Sequence, residues 1–326
     1  MILVTGGAGY IGSHTLHRLK DLGQAAVALD NLSSGHRWAV PKGTDLVEGD
    51  IADRALVEKL VRDRRVTAVI HFAAHLAVEE SVRDPFKYYR NNVVGSLNLV
   101  ETCARNGVES FIFSSTCALY GNSATNPIRE DLPTGPVSPY ASTKLMTETI
   151  LRDAEASGQY KMRNVALRYF NVAGAHVGGG LGQATPNATQ LVKVAAEAAC
   201  GKRPKMYLFG TDYPTRDGTC VRDYIHVDDL VEAHVLALAY LRGGGKSDIF
   251  NCGYGRGYSV REVIDSMKRV SGVDFSVELK PRRPGDAVEV WADTTKVTNV
   301  LGWKPRYADL DLICKTAYEW ERTYKP

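Results

Sequence analysis

Residues 3–12, LVTGGAGYIG, constrain the fold more than any other part of the sequence. A short apolar run leads into closely spaced glycines and then into a second apolar run, which predicts a buried strand turning sharply into a helix. Gly6 permits the turn, Gly9 lets a pyrophosphate approach the backbone, and Gly12 lets the helix pack closely on the sheet. The helix start offers N–H groups to an anion. Such glycines alone also fit an ordinary turn.

The following segments repeat the alternation of strand and helix. Strands are predicted at 2–5, 25–29, 45–48, 68–71, 110–114 and 165–168, and helices at 11–22, 54–64, 85–106 and 139–156. This alternation predicts an α/β fold, a Rossmann-like doubly wound parallel sheet with a smaller α/β C-terminal substrate lobe. We expect the dinucleotide-binding domain at 1–170, with part of 223–250 returning to it, and the substrate lobe at 171–326.

An acidic residue makes the dinucleotide interpretation much stronger. Asp30 ends the second predicted strand, 18 residues after Gly12, where a carboxylate can bind the diol of an adenosine ribose. The same carboxylate repels a 2′-phosphate, so NAD is expected rather than NADP. Asp50 follows a further strand and suits the adenine edge, although a solvated loop acid is an equal alternative.

A second motif, SPYASTK at 138–144, carries candidate catalytic residues. Ser138 and Pro139 are typical of a helix start, and they place Tyr140 and Lys144 at positions i and i+4, on one face. A nearby ammonium favours the phenolate and would lower the tyrosine pKa from about 10 towards neutrality, which suits a general base. A Tyr/Lys pair alone is more often a surface pair, but downstream of a dinucleotide turn we expect catalysis. Thr116, after the strand at 110–114, can share a proton with Tyr140.

Composition excludes several other classes. The 326-residue chain has a formal charge of +3 and no basic block, so nucleic acids and anionic membranes are not expected partners. No apolar run approaches the roughly 20 residues of a membrane helix, and the first strand begins at Ile2, without a signal-peptide pattern. Six scattered cysteines, without a CxxC pair, favour a reduced cytoplasmic protein and no metal site.

Longer strings show a family resemblance along essentially the whole chain. TGGAGYIGSH, GDI, HFAA, NN, SSTCALYG, SPYASTK and RYFNVAGA resemble the extended short-chain dehydrogenase/reductases, and within them the UDP-glucose 4-epimerase family. FGTDYPTRDGTCVRDYIHVDDL at 209–230 and PRRPGDAVEVWAD at 281–293 are similar to the second lobe of that family. The resemblance implies an isomerase with tightly held NAD, a UDP-sugar substrate and a homodimer that pairs the helices near 85–106 and 139–156.

The resemblance also implies roles for individual residues. Besides Gly6, Gly9 and Gly12, those implied to contact the cofactor are Tyr10, Ile11, Asp30, Asn31, Asp50, Ile51, Phe72, Ala73, Ala74, Asn91, Ser114, Tyr140, Lys144 and Phe170. Those implied to contact the UDP-sugar are Thr116, Tyr140, Asn171, Asn187, Phe209, Arg222, Arg283, Asp286 and Val290. In the implied reaction Tyr140 takes the O4 proton while hydride leaves C4, and the keto sugar turns before hydride returns.

Several positions depart from the family pattern. Leu76 stands where many of these epimerases carry a lysine, and Ala188 where asparagine is frequent. Val290 replaces a tyrosine that blocks N-acetylated sugars in some members, so UDP-GlcNAc and UDP-GalNAc become candidate substrates; a packing role is the alternative. Cys117 and Ala118 follow Thr116 where related dehydratases or decarboxylases have an acid, which favours simple epimerisation.

Three other functions remain open at this point. A UDP-xylose/UDP-arabinose epimerase would use the same chemistry on a pentose. A nucleotide-sugar oxidoreductase would exchange its cofactor freely. A non-catalytic sensor would commonly lack the Tyr/Lys pair.

Overall fold

The chain folds into alternating strands and helices. The computed structural model describes residues 1–122, 125–186, 188–283 and 285–325. The strands are β1 (Ile2–Thr5), β2 (Ala26–Asp30), β3 (Asp45–Glu48), β4 (Ala68–His71), β5 (Ser110–Ser114), β6 (Arg163–Tyr169), β7 (Asn171–Ala173), β8 (Met206–Phe209), β9 (Val221–His226), β10 (Asp248–Cys252), β11 (Gly257–Ser259), β12 (Val277–Lys280) and β13 (Glu289–Val290). The α-helices are α1 (Tyr10–Asp21), α2 (Arg54–Asp63), α3 (Val78–Arg83), α4 (Pro85–Tyr88), α5 (Ser96–Arg105), α6 (Pro139–Ala156), α7 (Leu191–Ala199), α8 (Val227–Arg242), α9 (Val260–Ser271), α10 (Thr295–Leu301) and α11 (Leu310–Thr323).

These elements form two compact units. The first consists of Met1–Leu119, Thr134–Arg168 and Val231–Phe250. The second consists of Tyr120–Pro133, Tyr169–Leu230 and Asn251–Pro326. The returning segment of the first unit therefore begins inside α8, whereas β9 lies wholly in the second unit. The assignment of an NAD-binding domain and a UDP-sugar lobe to parts of the chain stays a prediction.

A seven-stranded sheet organises the first unit. Its order is β10-β6-β5-β4-β1-β2-β3, and the pairs from β6 to β3 are parallel. The order reverses beside β1, which pairs with β2 on one side and β4 on the other. The prediction of a doubly wound parallel sheet is thus confirmed. Crevices beyond the carboxyl ends of strands at such a reversal are where ligands bind in this architecture.

The central strands are buried along their whole length, as their uninterrupted apolar runs predict. Leu3, Val69 and Phe111, from three neighbouring strands, belong to one hydrophobic core with residues of α2 and α5. This core fixes the strand ends from which the candidate site residues project.

The predicted helix at 85–106 is interrupted. The structure has α4, then a π-helical segment Tyr89–Gly95, then α5. Wider π turns interrupt α-helices where a side chain needs a special placement, and within this segment Asn92 is buried and hydrogen-bonded. Helix α3 and strand β10 are likewise not predicted by the sequence pattern.

The second unit is a mixed layer of helices and short strands. Strand β9 pairs with β7, β11 and β13, while β8 and β12 form a separate parallel pair. Helices α7, α9 and α11 contribute the main hydrophobic core of this unit. Among the residues described, no helix is both long and apolar enough to cross a bilayer.

Candidate active site

The turn between β1 and α1 is shaped for a ligand phosphate. Gly6 has a φ of +69°, and a Cβ atom there would lie 2.7 Å from the backbone nitrogen of Ala73. A Cβ at Gly12 would lie 2.1 Å from the Gly6 carbonyl oxygen. Gly9 caps α1 without a side-chain hydrogen bond, so no side chain of the cap occupies the first N–H groups. The turn therefore fits the pyrophosphate of a dinucleotide.

Asp30 lies at the end of β2, where the ribose diol was expected. Its Oδ2 accepts a hydrogen bond from the Ala8 N–H at 2.9 Å, and its Oδ1 accepts one from the Leu32 N–H at 2.8 Å. Asn31 donates to Asp50 Oδ2 at 3.0 Å, so these side chains are joined. The carboxylate is thus oriented next to the glycine turn, and its remaining lone pairs suit the two hydroxyls of a ribose.

Helix α6 places Tyr140 and Lys144 one turn apart on a buried face. The helix starts as predicted, because Ser138 Oγ accepts the Ala141 N–H at 3.3 Å and Pro139 follows it. Lys144 Nζ donates a 2.8 Å hydrogen bond to the carbonyl of Ser114, the last residue of β5. Thr116, also buried, lies two residues beyond Ser114. The helix and the strand end are therefore tied together at this lysine.

Burial controls the charge of this lysine. Removal from water lowers the pKa of Lys144 to about 7, and the negative charge of Glu148 opposes that shift. The neighbouring His71 has its pKa lowered to about 3, first by burial and then by the charge of Lys144. His71 is therefore neutral and supplies no charge. Near neutral pH the charge of Lys144 therefore depends on the balance between burial and the negative charge of Glu148.

Asn92 is a site-supporting residue that sequence reasoning did not select. Its Oδ1 accepts the His75 N–H at 2.9 Å, and its Nδ2 donates to the His75 carbonyl at 3.0 Å and to Thr143 Oγ1 at 3.1 Å. It joins the loop after β4 to α6, between Tyr140 and Lys144. The NN dipeptide at 91–92, inside an apolar helical pattern, is the signal that could indicate Asn92, whereas the family resemblance points to Asn91.

The other predicted cofactor residues fall mostly in the first unit. Those in it are Tyr10, Ile11, Ile51, Phe72, Ala73, Ala74, Asn91 and Ser114. Phe170 falls in the second unit, and its N–H donates to the Cys252 carbonyl at 3.2 Å. Leu76, in the loop after β4, has 49% of its surface exposed.

The second unit brings together four of the predicted UDP-contacting residues. Arg283 Nε donates to Asp286 Oδ2 at 3.0 Å, and Arg222 Nη2 lies 3.8 Å from Asp286 Oδ1. The Arg283 guanidinium lies 4.9 Å from the centre of the Phe209 ring. We call these four residues the arginine cluster. Two guanidinium groups suit a diphosphate, and the carboxylate and ring suit a nucleoside.

Two other predicted substrate residues of the second unit, Val290 and Asn171, are described in the structure. Val290 is the register partner of Arg222 in the β13–β9 pair and is buried. Asn171 is an exposed residue at the start of β7. Ala188 accepts a 3.1 Å hydrogen bond from Arg203 through its carbonyl. Asn187 lies outside the described residues.

Metal-ligating side chains do not gather in the described part of the chain. No group of three or more His, Cys, Asp or Glu side chains there could hold a metal ion.

Comparisons with known proteins find relatives along nearly the whole chain. Residues 2–253 match the NAD dependent epimerase/dehydratase family. A UDP-glucose 4-epimerase of Azospirillum brasilense is 54% identical over 99% of this chain and 92% of its own length. The crystal structure of the Brucella ovis UDP-glucose 4-epimerase in complex with NAD has a TM-score of 0.95 at 45% identity, covering 98% of each chain.

A third relative differs in its named substrates. The structure of the UDP-Glc/GlcNAc 4-epimerase from Campylobacter jejuni has a TM-score of 0.86 at 49% identity, covering 99% of each chain. The family match spans well over half of the sequence, and these identities extend over nearly all of it. The chain therefore belongs to the NAD dependent epimerase/dehydratase family.

Proposed function

We propose that this protein catalyses the NAD-dependent, reversible C4 epimerisation of UDP-hexoses, interconverting UDP-glucose and UDP-galactose through a transient 4-keto sugar. The observation that carries the proposal is the Tyr140/Lys144 pair on the buried face of α6, in the same compact unit as the glycine turn and Asp30. An oxidised and then reduced carbinol needs a base, a hydride carrier and a fixed anchor for the rest of the substrate. The residues of this chain suit all three requirements.

Proton transfer is assigned to Tyr140. Its phenolate accepts the O4 proton, and the ammonium of Lys144 stabilises the phenolate by its charge. Bound NAD supplies a reversible hydride acceptor for C4. The hydroxyl of Thr116 shares the proton with Tyr140 and orients O4. The glycine turn and Asp30 hold the cofactor phosphates and ribose.

Inversion requires that the sugar turn while the nucleotide stays bound. The arginine cluster, with Asn171 and Asn187, holds the UDP, and the keto sugar rotates about its phosphate linkage to present its other face. Thr116 is followed by Cys117 and Ala118 rather than by an acid, so no carboxyl there supports dehydration or decarboxylation. Simple return of hydride is then the remaining outcome.

Replacing Tyr140 with Phe tests the proton-transfer role. Loss of a general base should lower kcat for UDP-galactose by about 10²–10⁴-fold, while the Kd for UDP stays within about twofold because the arginine cluster is untouched. Coupled spectrophotometry and calorimetry would measure the two quantities. Tyr160→Phe, just beyond the end of α6, is the matched control and should retain full activity. Near-normal turnover of Tyr140→Phe would refute the assignment.

The substrate range is proposed to include N-acetylated sugars. Val290 lies beside Arg222 in the β13–β9 register, and valine leaves more room than the tyrosine found in some family members. The Campylobacter jejuni relative, at 49% identity, is named for activity on both glucose and N-acetylglucosamine forms. We therefore include UDP-GlcNAc and UDP-GalNAc among the substrates.

Enlarging this side chain tests the specificity proposal. Val290→Tyr should lower kcat/KM for UDP-GlcNAc by at least about 10-fold, as pocket-filling bulk does, and change that for UDP-galactose by no more than a few-fold. NMR of product formation from each sugar measures both values. Val300→Tyr, at an exposed position of α10, is the control for added bulk. A wild-type protein that converts UDP-galactose quickly but not UDP-GlcNAc would contradict the proposal.

A second copy of the chain is the proposed protein partner. Exposed apolar side chains gather on the elements from α3 to α6: Val82, Phe86, Val94, Leu97 and Met146 are between 43% and 70% exposed. Exposed apolar side chains of this kind are typical of association sites, and the family resemblance implies that the same helices pair around a two-fold axis. Separately, we propose a cytoplasmic location, which the scattered cysteines favour.

A charge on this surface tests the homodimer. A two-fold axis brings the same surface of both copies together, so Phe86→Glu should place unpaired charges in an apolar contact. The mass of the protein should then fall from twice 35.7 kDa to that of one chain. Light scattering after size-exclusion chromatography measures the mass. Leu279→Glu, at a position in β12 that is 60% exposed against 70% for Phe86, should remain dimeric. A monomeric wild type would exclude the proposal.

A further inference from the structure

Helix α6 carries a third buried polar residue in line with the catalytic pair. Tyr140, Lys144 and Glu148 occupy positions i, i+4 and i+8, and all three are buried. Residues at this spacing lie on one face of a helix. The proposed reaction uses the first two and leaves a buried carboxylate without a role.

Glu148 forms a buried ion pair with Arg168 of β6. The Arg168 Nε donates to Glu148 Oε1 at 3.0 Å, and Nη2 donates to Oε2 at 2.6 Å. The two side chains retain only 5% and 6% of their exposure. A paired, two-bond contact of this kind fixes both groups in one orientation. Taking two charges out of water is costly, so such a pair is weak evidence for a role in stability alone.

The same carboxylate also holds the end of β5. Ser115 Oγ donates to Glu148 Oε1 at 2.5 Å, while Lys144 Nζ donates to the carbonyl of Ser114 at 2.8 Å. Two successive turns of α6 thus form hydrogen bonds with two successive residues at the end of β5. Thr116 is the next residue along the chain. Any slip of α6 along β5 would change the position of Thr116 relative to Tyr140.

The charges around Lys144 leave Glu148 as the acidic partner. His71 of β4 is neutral because burial lowers its pKa to about 3, and β5 presents the Phe113 ring, 4.9 Å from Lys144 Nζ, together with the Ser114 carbonyl. Tyr140 lies on the same helix face. Arg168 is cationic and reaches this region through its pair with Glu148. The negative charge that favours the Lys144 ammonium is that of Glu148.

We propose that Glu148, fixed by Arg168 and Ser115, is a positioning residue that sets the register of α6 against β5 and provides the counter-charge for the buried ammonium of Lys144. This proposal rests on the proposed epimerase function for its kinetic consequences. Its consequence for the charge of Lys144 does not depend on turnover.

The test is Glu148→Gln in the full-length protein, which keeps the shape and removes the charge. With the counter-charge gone, Lys144 should lose its proton at lower pH. The pH at which the ¹³Cε resonance of Lys144 titrates should fall by about one unit. That resonance is assigned by its absence from Lys144→Arg. The alkaline limb of kcat for UDP-galactose should move down by the same amount, with KM nearly unchanged.

Two further variants separate charge from packing. Glu148→Leu combined with Arg168→Leu removes both charges and leaves no unpaired buried charge, so this protein should fold. The pH at which Lys144 titrates should stay below that of the wild type. Asp153→Asn removes an exposed negative charge from the same helix and should leave the titration unchanged.

The outcomes distinguish this proposal from the proposed function. If the pH at which Lys144 titrates is unchanged in both Glu148 variants, and activity is lowered equally at every pH, then Glu148 has a structural role and the proposal is overturned. If the wild-type protein converts no UDP-sugar, the epimerase function is refuted. A lower titration pH of Lys144 in Glu148→Gln would even then support the role of Glu148 as the counter-charge of Lys144.

Discussion

The hydrogen bond from the buried Lys144 ammonium to the Ser114 carbonyl is the contact on which the proposed chemistry depends. It joins α6 to the carboxyl end of a central strand, so the position of Tyr140 follows from the packing of the sheet. It also places a cation where water is excluded, which brings the lysine pKa to about 7. When the pKa of a group lies near neutral pH, a single neighbouring charge can change its protonation state strongly. Burial therefore supplies both the geometry and the sensitivity of the site.

The two compact units offer different kinds of side chain. The first holds the glycine turn, Asp30 and the Tyr140/Lys144 pair within a core of continuous apolar strands. The second holds the arginine cluster, in which guanidinium groups, a carboxylate and a ring lie together. The first set of side chains suits hydride and proton transfer, and the second suits a binding site that holds the nucleotide throughout the reaction. Epimerisation needs both, because the nucleotide must stay while the sugar turns over.

Local patterns predicted the elements that depend on local physics. The predicted bounds of β1, β4 and β5 agree with the structure because these buried parallel strands are largely apolar, and those of α6 agree because Ser138-Pro139 marks a helix start. The predicted bounds of β3 also agree, although this edge strand is exposed at both ends. The π-helical segment around Asn92 was not predicted, and the hydrogen bonds of the buried Asn92 side chain within it go to residues distant in sequence. The Glu148–Arg168 pair was missed for the same reason: 20 positions separate the partners in sequence.

The proposed epimerisation is tested by following the hydrogen atom at C4 of the sugar rather than the reaction rate. UDP-galactose carrying deuterium at C4 would be incubated with the purified protein in ordinary water without added NAD, and UDP-glucose examined by NMR. We expect product with deuterium still at C4, because the hydride that leaves the carbon is returned within the same site. Loss of the label to water, or no conversion until NAD is supplied in excess and consumed, would contradict it.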